Sequence, residues 1–579
     1  MLDVRNMRLD VLLLVVVFLG TSAARAADQP VDFERDVAPL LVRRCVECHK
    51  GATPSGDLNL TSREGVAQGG ESGVAIKSGD AAGSVLLERV LAGEMPPPQQ
   101  GKSQRLPDDE IAVLRRWIDS GAKWPERRVL DLYERTSDVR GGRDWWSLQP
   151  VKRSVVPEVG PSESGQPEVG RPERVRNPID AFVIARLVEA GMKPAPQADR
   201  RVLLRRLFND VTGLPPTFEQ IEEFVADESP DAWSRRVDEL LDSPQYGERW
   251  ARYWLDLVRF AETSGYERDQ EKPFAWKYRD WVVDSLNSDM TYDRLVIEQL
   301  AGDELPDRSQ QTVIGTGFLR LGTWNDEPND NEDYKFDRLE DLVHVTSSAF
   351  LGLTVKCARC HDHKFDAIPQ IDYYRVASAF WPGPIGARDR KLLGGPSAEE
   401  LGVEDTLGWT DLTATPPPLH VLKNGDRRVP LDVAEPGPLS LVPALFTTFE
   451  PPVDGARTTG RRLALARWIV HPQNPLTPRV LVNRLWQNHF GYGLIRSPNN
   501  IGFRSDPPTH PELLDWLAAE LVAGDWKLKR LHRLILNSAT WQQASLHPKF
   551  AEYAQIDFSN RFWWRSERRR LDAEALRDA

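Results

Sequence analysis

Four cysteines in 579 residues are too few to staple a disulfide-dense scaffold. No stretch of 18 or more apolar residues occurs, so the mature chain has no predicted integral membrane span. Positive charge is in deficit: 74 Lys and Arg stand against 86 Asp and Glu, for a net charge of −12. Without a basic stripe, nucleic acid is not an expected partner. The same balance offers nothing to an anionic membrane surface. Methionine (5) and histidine (10) are scarce as well, so each one near a cysteine carries weight.

All four cysteines fall in two Cys-x-x-Cys-His pentapeptides, Cys45-Val46-Glu47-Cys48-His49 and Cys357-Ala358-Arg359-Cys360-His361. This is the attachment pattern of c-type haem. Two thiols three positions apart lie on one side of a turn and can each add to a haem vinyl group, and the following histidine can ligate the iron. The competing readings are a disulfide, a thioredoxin-like redox pair and half a zinc site. One haem c is expected at the first motif, and a second is a candidate at Cys357, Cys360 and His361.

The N-terminus reads as a signal peptide over residues 1–26. Arg5 and Arg8 form its basic region, Val11 to Leu19 its apolar run, and Ala24-Arg25-Ala26 its cleavage site. The run is far shorter than the ~20 residues that span a bilayer. Bacterial c-type haem is attached outside the cytoplasmic membrane, so export to the periplasm or beyond agrees with the cysteine motifs.

The fold class is mainly α. Residues 27–128 form a small cytochrome-c-like domain. In it Asp32 caps a helix with Phe33, Val37, Leu40 and Leu41 on one face, running into Cys45. Pro107 and the acidic residues after it open a closing helix carrying Ile111, Leu114 and Ile118, stopped by Gly121. A linker is expected over 129–176, where Pro-Glu-Val-Gly occurs twice among Ser, Gly and Pro. Residues 177–382 read as a helical domain. Thr217-x-x-Gln220 is a capping box, Ser229-Pro230 a helix start, and Leu339 to Leu353 a stripe leading into the second motif. Residues 383–460 are irregular, with short strands at Leu419–Leu422 and Leu439–Val442. Residues 461–579 form a last helical domain, ending in helix sequence without a stop signal and so expected to be incomplete.

With these residues in view, the chain resembles a known domain family. Phe33 to Val37, Cys45 to His49 and Met95-Pro96-Pro97 ahead of the Trp117 helix are similar to a planctomycete-type cytochrome c domain. Thr212 to Thr217 and Phe350 to Asp366 resemble an associated domain of unknown function. Val482-Asn483-Arg484-Leu485-Trp486 and His510 to Trp516 resemble a second. The resemblance implies haem binding and electron transfer for the first domain, no established reaction for the other two, and a chain that continues past Ala579.

Several residues are candidates for the chemistry. His49 is the expected proximal iron ligand and Met95, the sole methionine of its domain, the expected sixth, presented by a proline-stiffened loop. At the second motif His361 would be proximal, and His344 is a weak sixth ligand. His363 could bind another metal, and Cys357, Cys360, His361 and His363 together could make a zinc or iron site. Asp326 and Glu327 sit in a proline-bearing loop that lacks EF-hand spacing but is a candidate metal or catalytic patch. His489 and His510, with Asn483 and Arg484, suit a polar pocket. Nineteen tryptophans offer stacking surfaces for an exported polysaccharide partner, with core packing as the alternative. The leading reading is an exported c-type cytochrome serving an external electron-transfer partner, fused to an oxidoreductase or substrate-binding module. The alternatives are a scaffold with a redox-sensing cytochrome and a non-haem metal enzyme built on the second motif.

Overall fold

The computed structural model describes residues 30–51, 54–98, 101–159, 175–386 and 392–578. The expected signal peptide and most of the Pro-Glu-Val-Gly linker lie outside the described residues. The chain divides into two compact units, Met1–Trp145 and Trp146–Ala579. Helix dominates both. A single antiparallel pair, His420–Leu422 with Pro430–Val433, is the one sheet among the described residues. No described helix is long and apolar enough to cross a membrane.

In the first unit Asp32 accepts from the Arg35 amide at 2.8 Å and opens a helical run, Phe33–Val37 then Ala38–Arg44. Phe33, Val37, Leu40 and Leu41 are all buried, as their spacing requires. Phe33 meets Trp117 and Trp124 at ring separations of 6.0 and 4.5 Å. That cluster packs the first helix on the closing helix Asp108–Asp119, whose Ile111, Leu114 and Ile118 are buried too. Gly121 then turns the chain with φ of 101°, a conformation that excludes most side chains. Residues 129–145, expected to begin the linker, are part of this unit. Leu130, Leu132 and Tyr133 are buried, and Arg140 pairs with Glu47 at 2.7 Å. Three apolar side chains suffice to dock the segment.

The second unit starts at once with Trp146–Leu148, beside which the carbonyls of Ser147 and Gln149 accept from Arg479 at 3.1 and 2.7 Å. The helical segments read as separate domains share one apolar core, in which Leu342, Phe350, Val480 and Leu513 are buried together. The Thr217 capping box forms in both directions, at 3.2 and 2.8 Å. Ser229 does not cap: its hydroxyl is taken by Asp227 at 2.6 Å, and the helix begins later, at Ala232–Leu241. Leu439, Leu441 and Val442 are buried but form no strand, and the Ser440 amide and hydroxyl donate to Asp372 at 2.7 and 2.8 Å instead. The irregular segment is tied down by a fully buried cluster in which Arg462 meets Asp303 at 2.6 Å and Glu304 and Asp411 at 3.0 Å each.

Candidate haem site and a buried polar cluster

The first motif continues the helix Ala38–Arg44 by one turn. The Cys45 and Val46 amides donate to the Leu41 carbonyl at 2.9 Å, and the His49 amide to the Cys45 carbonyl at 3.1 Å. The two intervening residues lock that turn: Val46 is fully buried, and Glu47 holds Arg140. Cys45, Cys48 and His49 therefore line one cavity of about 1030 Å³, counting its open mouth. Its other walls are largely apolar, including Leu58, Leu60, Leu86, Val90 and Leu106.

Met95 lines the same cavity. The helix Val85–Leu91 ends at Gly93, whose φ of 71° reverses the chain, and the Met95 amide is held by the Arg89 carbonyl at 3.3 Å. The structure thus brings together all four residues expected at the first haem. Nδ1 of His49 contacts the Leu58 carbonyl at 3.1 Å. A carbonyl only accepts, so Nδ1 carries the proton and Nε2 keeps its lone pair for iron. Burial pushes the Cys45 thiol up to about 12. A thioether carries no charge, so attachment suits this apolar wall better than a thiolate does. The donor set, the oriented imidazole and the apolar enclosure fit haem c.

The second motif is built differently. Cys357, Cys360 and His361 are exposed, and neither cysteine pair is joined in a disulfide. Nδ1 of His361 contacts the carbonyl of its neighbour Asp362 at 2.7 Å. His363 is buried, and both its nitrogens are used. Nδ1 accepts from the Asp366 amide at 2.8 Å, and Nε2 meets the Thr354 hydroxyl at 3.2 Å. It braces a loop rather than completing a metal site. His344 is half-buried on the helix Asn331–Thr346, its Nδ1 without a hydrogen-bond partner and its pKa lowered by burial and by Lys356. Asp326 and Glu327 both pair with Arg268. Among the described residues no group of three or more His, Cys, Asp or Glu is placed to hold a metal ion. Arg268 engages Asp326 and Glu327, and loop groups engage both nitrogens of His363.

The expected pocket of His489, His510, Asn483 and Arg484 does not form. Asn483 brackets the backbone of Ile495 at 3.0 and 2.8 Å, Arg484 donates to the carbonyls of Ser348 and Ala349, and His510 is buried beside Thr509. His489 instead joins residues that the sequence did not single out. Its Nδ1 is 2.7 Å from Asp210, and its Nε2 is 2.8 Å from Nδ1 of His532. Burial raises the Asp210 carboxyl, but Arg569 at 2.8 Å and His489 outweigh it and hold the group well below its ordinary range. The ionised carboxylate makes His489 Nδ1 a donor, and Nε2 of His532 is buried without a hydrogen-bond partner among the described residues. Residues 210 and 489 are too far apart in sequence for spacing to reveal the pair. Of the tryptophans considered for sugar stacking, Trp250 and Trp281 are core, while Trp276 is exposed.

A small helical unit presenting two thiols, a histidine and a methionine to one apolar cavity defines a c-type cytochrome domain. Comparison with known proteins agrees and extends the assignment. Residues 45–99 match Planctomycete cytochrome C, 178–382 a protein of unknown function (DUF1549), and 461–579 another (DUF1553). The chain therefore carries a planctomycete cytochrome C domain followed by these two domains. It is also 29% identical over 133 residues to hydrazine synthase subunit alpha from Kuenenia stuttgartiensis, which covers 18% of this chain and 16% of that protein. No solved structure shows a significant match.

Proposed function

We propose that the protein is an exported electron-transfer protein that holds one haem c in its first unit and serves a redox or substrate-binding module in its second. The observation that carries this reading is the single cavity lined by Cys45, Cys48, His49 and Met95. Haem bound there supplies one-electron exchange at its iron. The chain's residues do the rest. Cys45 and Cys48 would hold the haem covalently, each thiol adding S–H across one vinyl group to give a thioether. The Leu58 carbonyl orients His49, Met95 would offer its thioether as the further ligand, and the leucine and valine walls would give the ring an apolar surround. Methionine–histidine ligation sets a comparatively high potential, suited to an external electron acceptor or donor. The short stretch of similarity to a hydrazine synthase subunit supports a redox setting.

Cys45, Cys48 and His49 share their apolar cavity with a methionine, whereas Cys357, Cys360 and His361 are all exposed, and this difference supports one haem per chain. A pyridine haemochrome assay against protein concentration is expected to give one haem, unchanged in Cys357→Ala/Cys360→Ala and lost in Cys45→Ala/Cys48→Ala. Two haems per chain would overturn that stoichiometry. Met95→Ala is expected to remove the weak long-wavelength band of a sulfur-ligated ferric haem and to lower the potential. An unaltered spectrum would assign the sixth position to another group. Reduction of the haem by a substrate of the second unit separates the electron-transfer reading from a passive scaffold.

A further inference from the structure

The second unit contains a cavity of about 1700 Å³, counting its open mouth, that the haem reading does not use. Both helical segments build it. Arg205 and Arg206 come from the helix Arg200–Val211, Arg249 from Pro244–Leu257, and Arg569 and Arg570 from the C-terminal stretch. Five arginines face three carboxylates, Asp210, Glu567 and Asp572, in a chain whose net charge is −12. Two of the five are committed, Arg569 to Asp210 at 2.8 Å and Arg249 to Asp572 at 2.6 Å.

Arg206 is set up differently. Its Nη1 donates to the carbonyls of Trp541 and Gln543 at 2.8 and 3.0 Å, and its guanidinium carbon lies 5.4 Å from the Trp541 ring centroid. These contacts fix the plane of the fork. Among the described residues its Nε and Nη2 meet no acceptor, and no carboxylate pairs with it. Burial draws the guanidinium down to about 10, Arg569 adds to that, and Asp210 offsets only part of it. The Nε/Nη2 edge of a guanidinium matches two oxygens of a planar or tetrahedral oxyanion. Arg205 and Arg570 are exposed at the same cavity, form no ion pair among the described residues, and add positive potential.

We propose that this cavity binds the oxyanion group of a small molecule, a phosphate, sulfate or carboxylate, through the Nε/Nη2 edge of Arg206, with Arg205 and Arg570 contributing charge. The ligand supplies an acceptor for the Nε/Nη2 edge and negative charge beyond that of Asp210, which Arg569 and His489 already engage. Asp210, anchored by His489 and Trp541, keeps Arg569 in place on the wall. The site depends on neither haem motif.

Calorimetric titration of the haem-loaded protein tests this with inorganic phosphate, inorganic sulfate and acetate, at constant ionic strength against potassium chloride. Saturable binding at one site is expected for at least one probe, and the preferred probe identifies the chemical group. Arg206→Gln is expected to weaken it tenfold or more, and Arg206→Lys less, since the charge remains while the fork is lost. If Arg206→Gln fails to fold, the exposed variants Arg205→Gln and Arg570→Gln must each weaken binding. Arg428→Gln, at a surface pair with Asp426, must not. No saturable heat with any probe, or equal affinity across these variants, overturns the proposal.

Discussion

The buried cluster around Arg462 makes a measurable demand on pH. Asp303, Glu304 and Asp411 converge on one guanidinium, and all four side chains are sealed from water. Three carboxylates against one cation leave excess negative charge in a medium that solvates it poorly. Glu304 relieves it by keeping a proton, and one of its oxygens has no hydrogen-bond partner. Its pKa rises from 4.5 to about 8; burial is the largest cause, Arg462 opposes it, and Asp411 and Asp303 add to it. Below pH 4.5 the folded and unfolded chains both hold the proton, and stability is unaffected. Between 4.5 and 8 only the folded chain holds it, so stability falls as pH rises, by at most about 1.4 kcal/mol per pH unit. Over the whole window the loss is on the order of 5 kcal/mol. Glu304→Gln keeps a neutral side chain of the same shape, and its amide oxygen can still accept from the Leu463 amide, as Glu304 does at 2.7 Å. The variant should match the wild type near pH 5 and exceed it increasingly toward pH 8.5. Guanidinium unfolding followed by tryptophan fluorescence across that range measures the difference, which cancels every other titrating group. Parallel curves for the two proteins would refute the assignment of the proton to this cluster.

The opposite pH dependence is expected at His510. Burial, aided by Arg186, draws its pKa from 6.5 to about 3, so the unfolded chain gains a proton first and stability falls as pH drops below 6.5. His510→Gln should lose less stability than the wild type between pH 6.5 and 4, read by the same unfolding assay. Leu41 is fully buried under the first motif, and its carbonyl accepts from the Cys45 and Val46 amides. Leu41→Ala should cost the first unit about 2–5 kcal/mol, seen in its unfolding midpoint, without removing the covalent haem.

Much of the candidate haem site was legible because it is local geometry. Cys45, Cys48 and His49 share one turn, and the backbone bonds of that turn determine their relative placement whatever packs around it. The helices beside it were legible for the same reason: Phe33, Val37, Leu40 and Leu41 recur at helical spacing, and a single apolar face can only be buried one way. The Thr217 capping box closes within four residues. Met95 was reachable from the sequence through scarcity, since its domain offers no other thioether.

Tertiary structure decided what depends on partners distant along the chain. Residues 129–145 look linker-like until Arg140 meets Glu47 and Tyr133 is buried. His361 and His363 are equivalent as letters, yet one faces solvent and the other has both nitrogens occupied by loop groups. His489 and His510 were grouped by residue type, but burial and partners separated them and joined His489 to Asp210 and His532. Each of these outcomes turns on which donors, acceptors and charges are brought within about 3 Å once the core is packed. Periodicity sets the face of a helix that is buried. What that face meets is set by the rest of the fold, and here it places the first motif at an apolar cavity shared with Met95 and leaves all three residues of the second exposed.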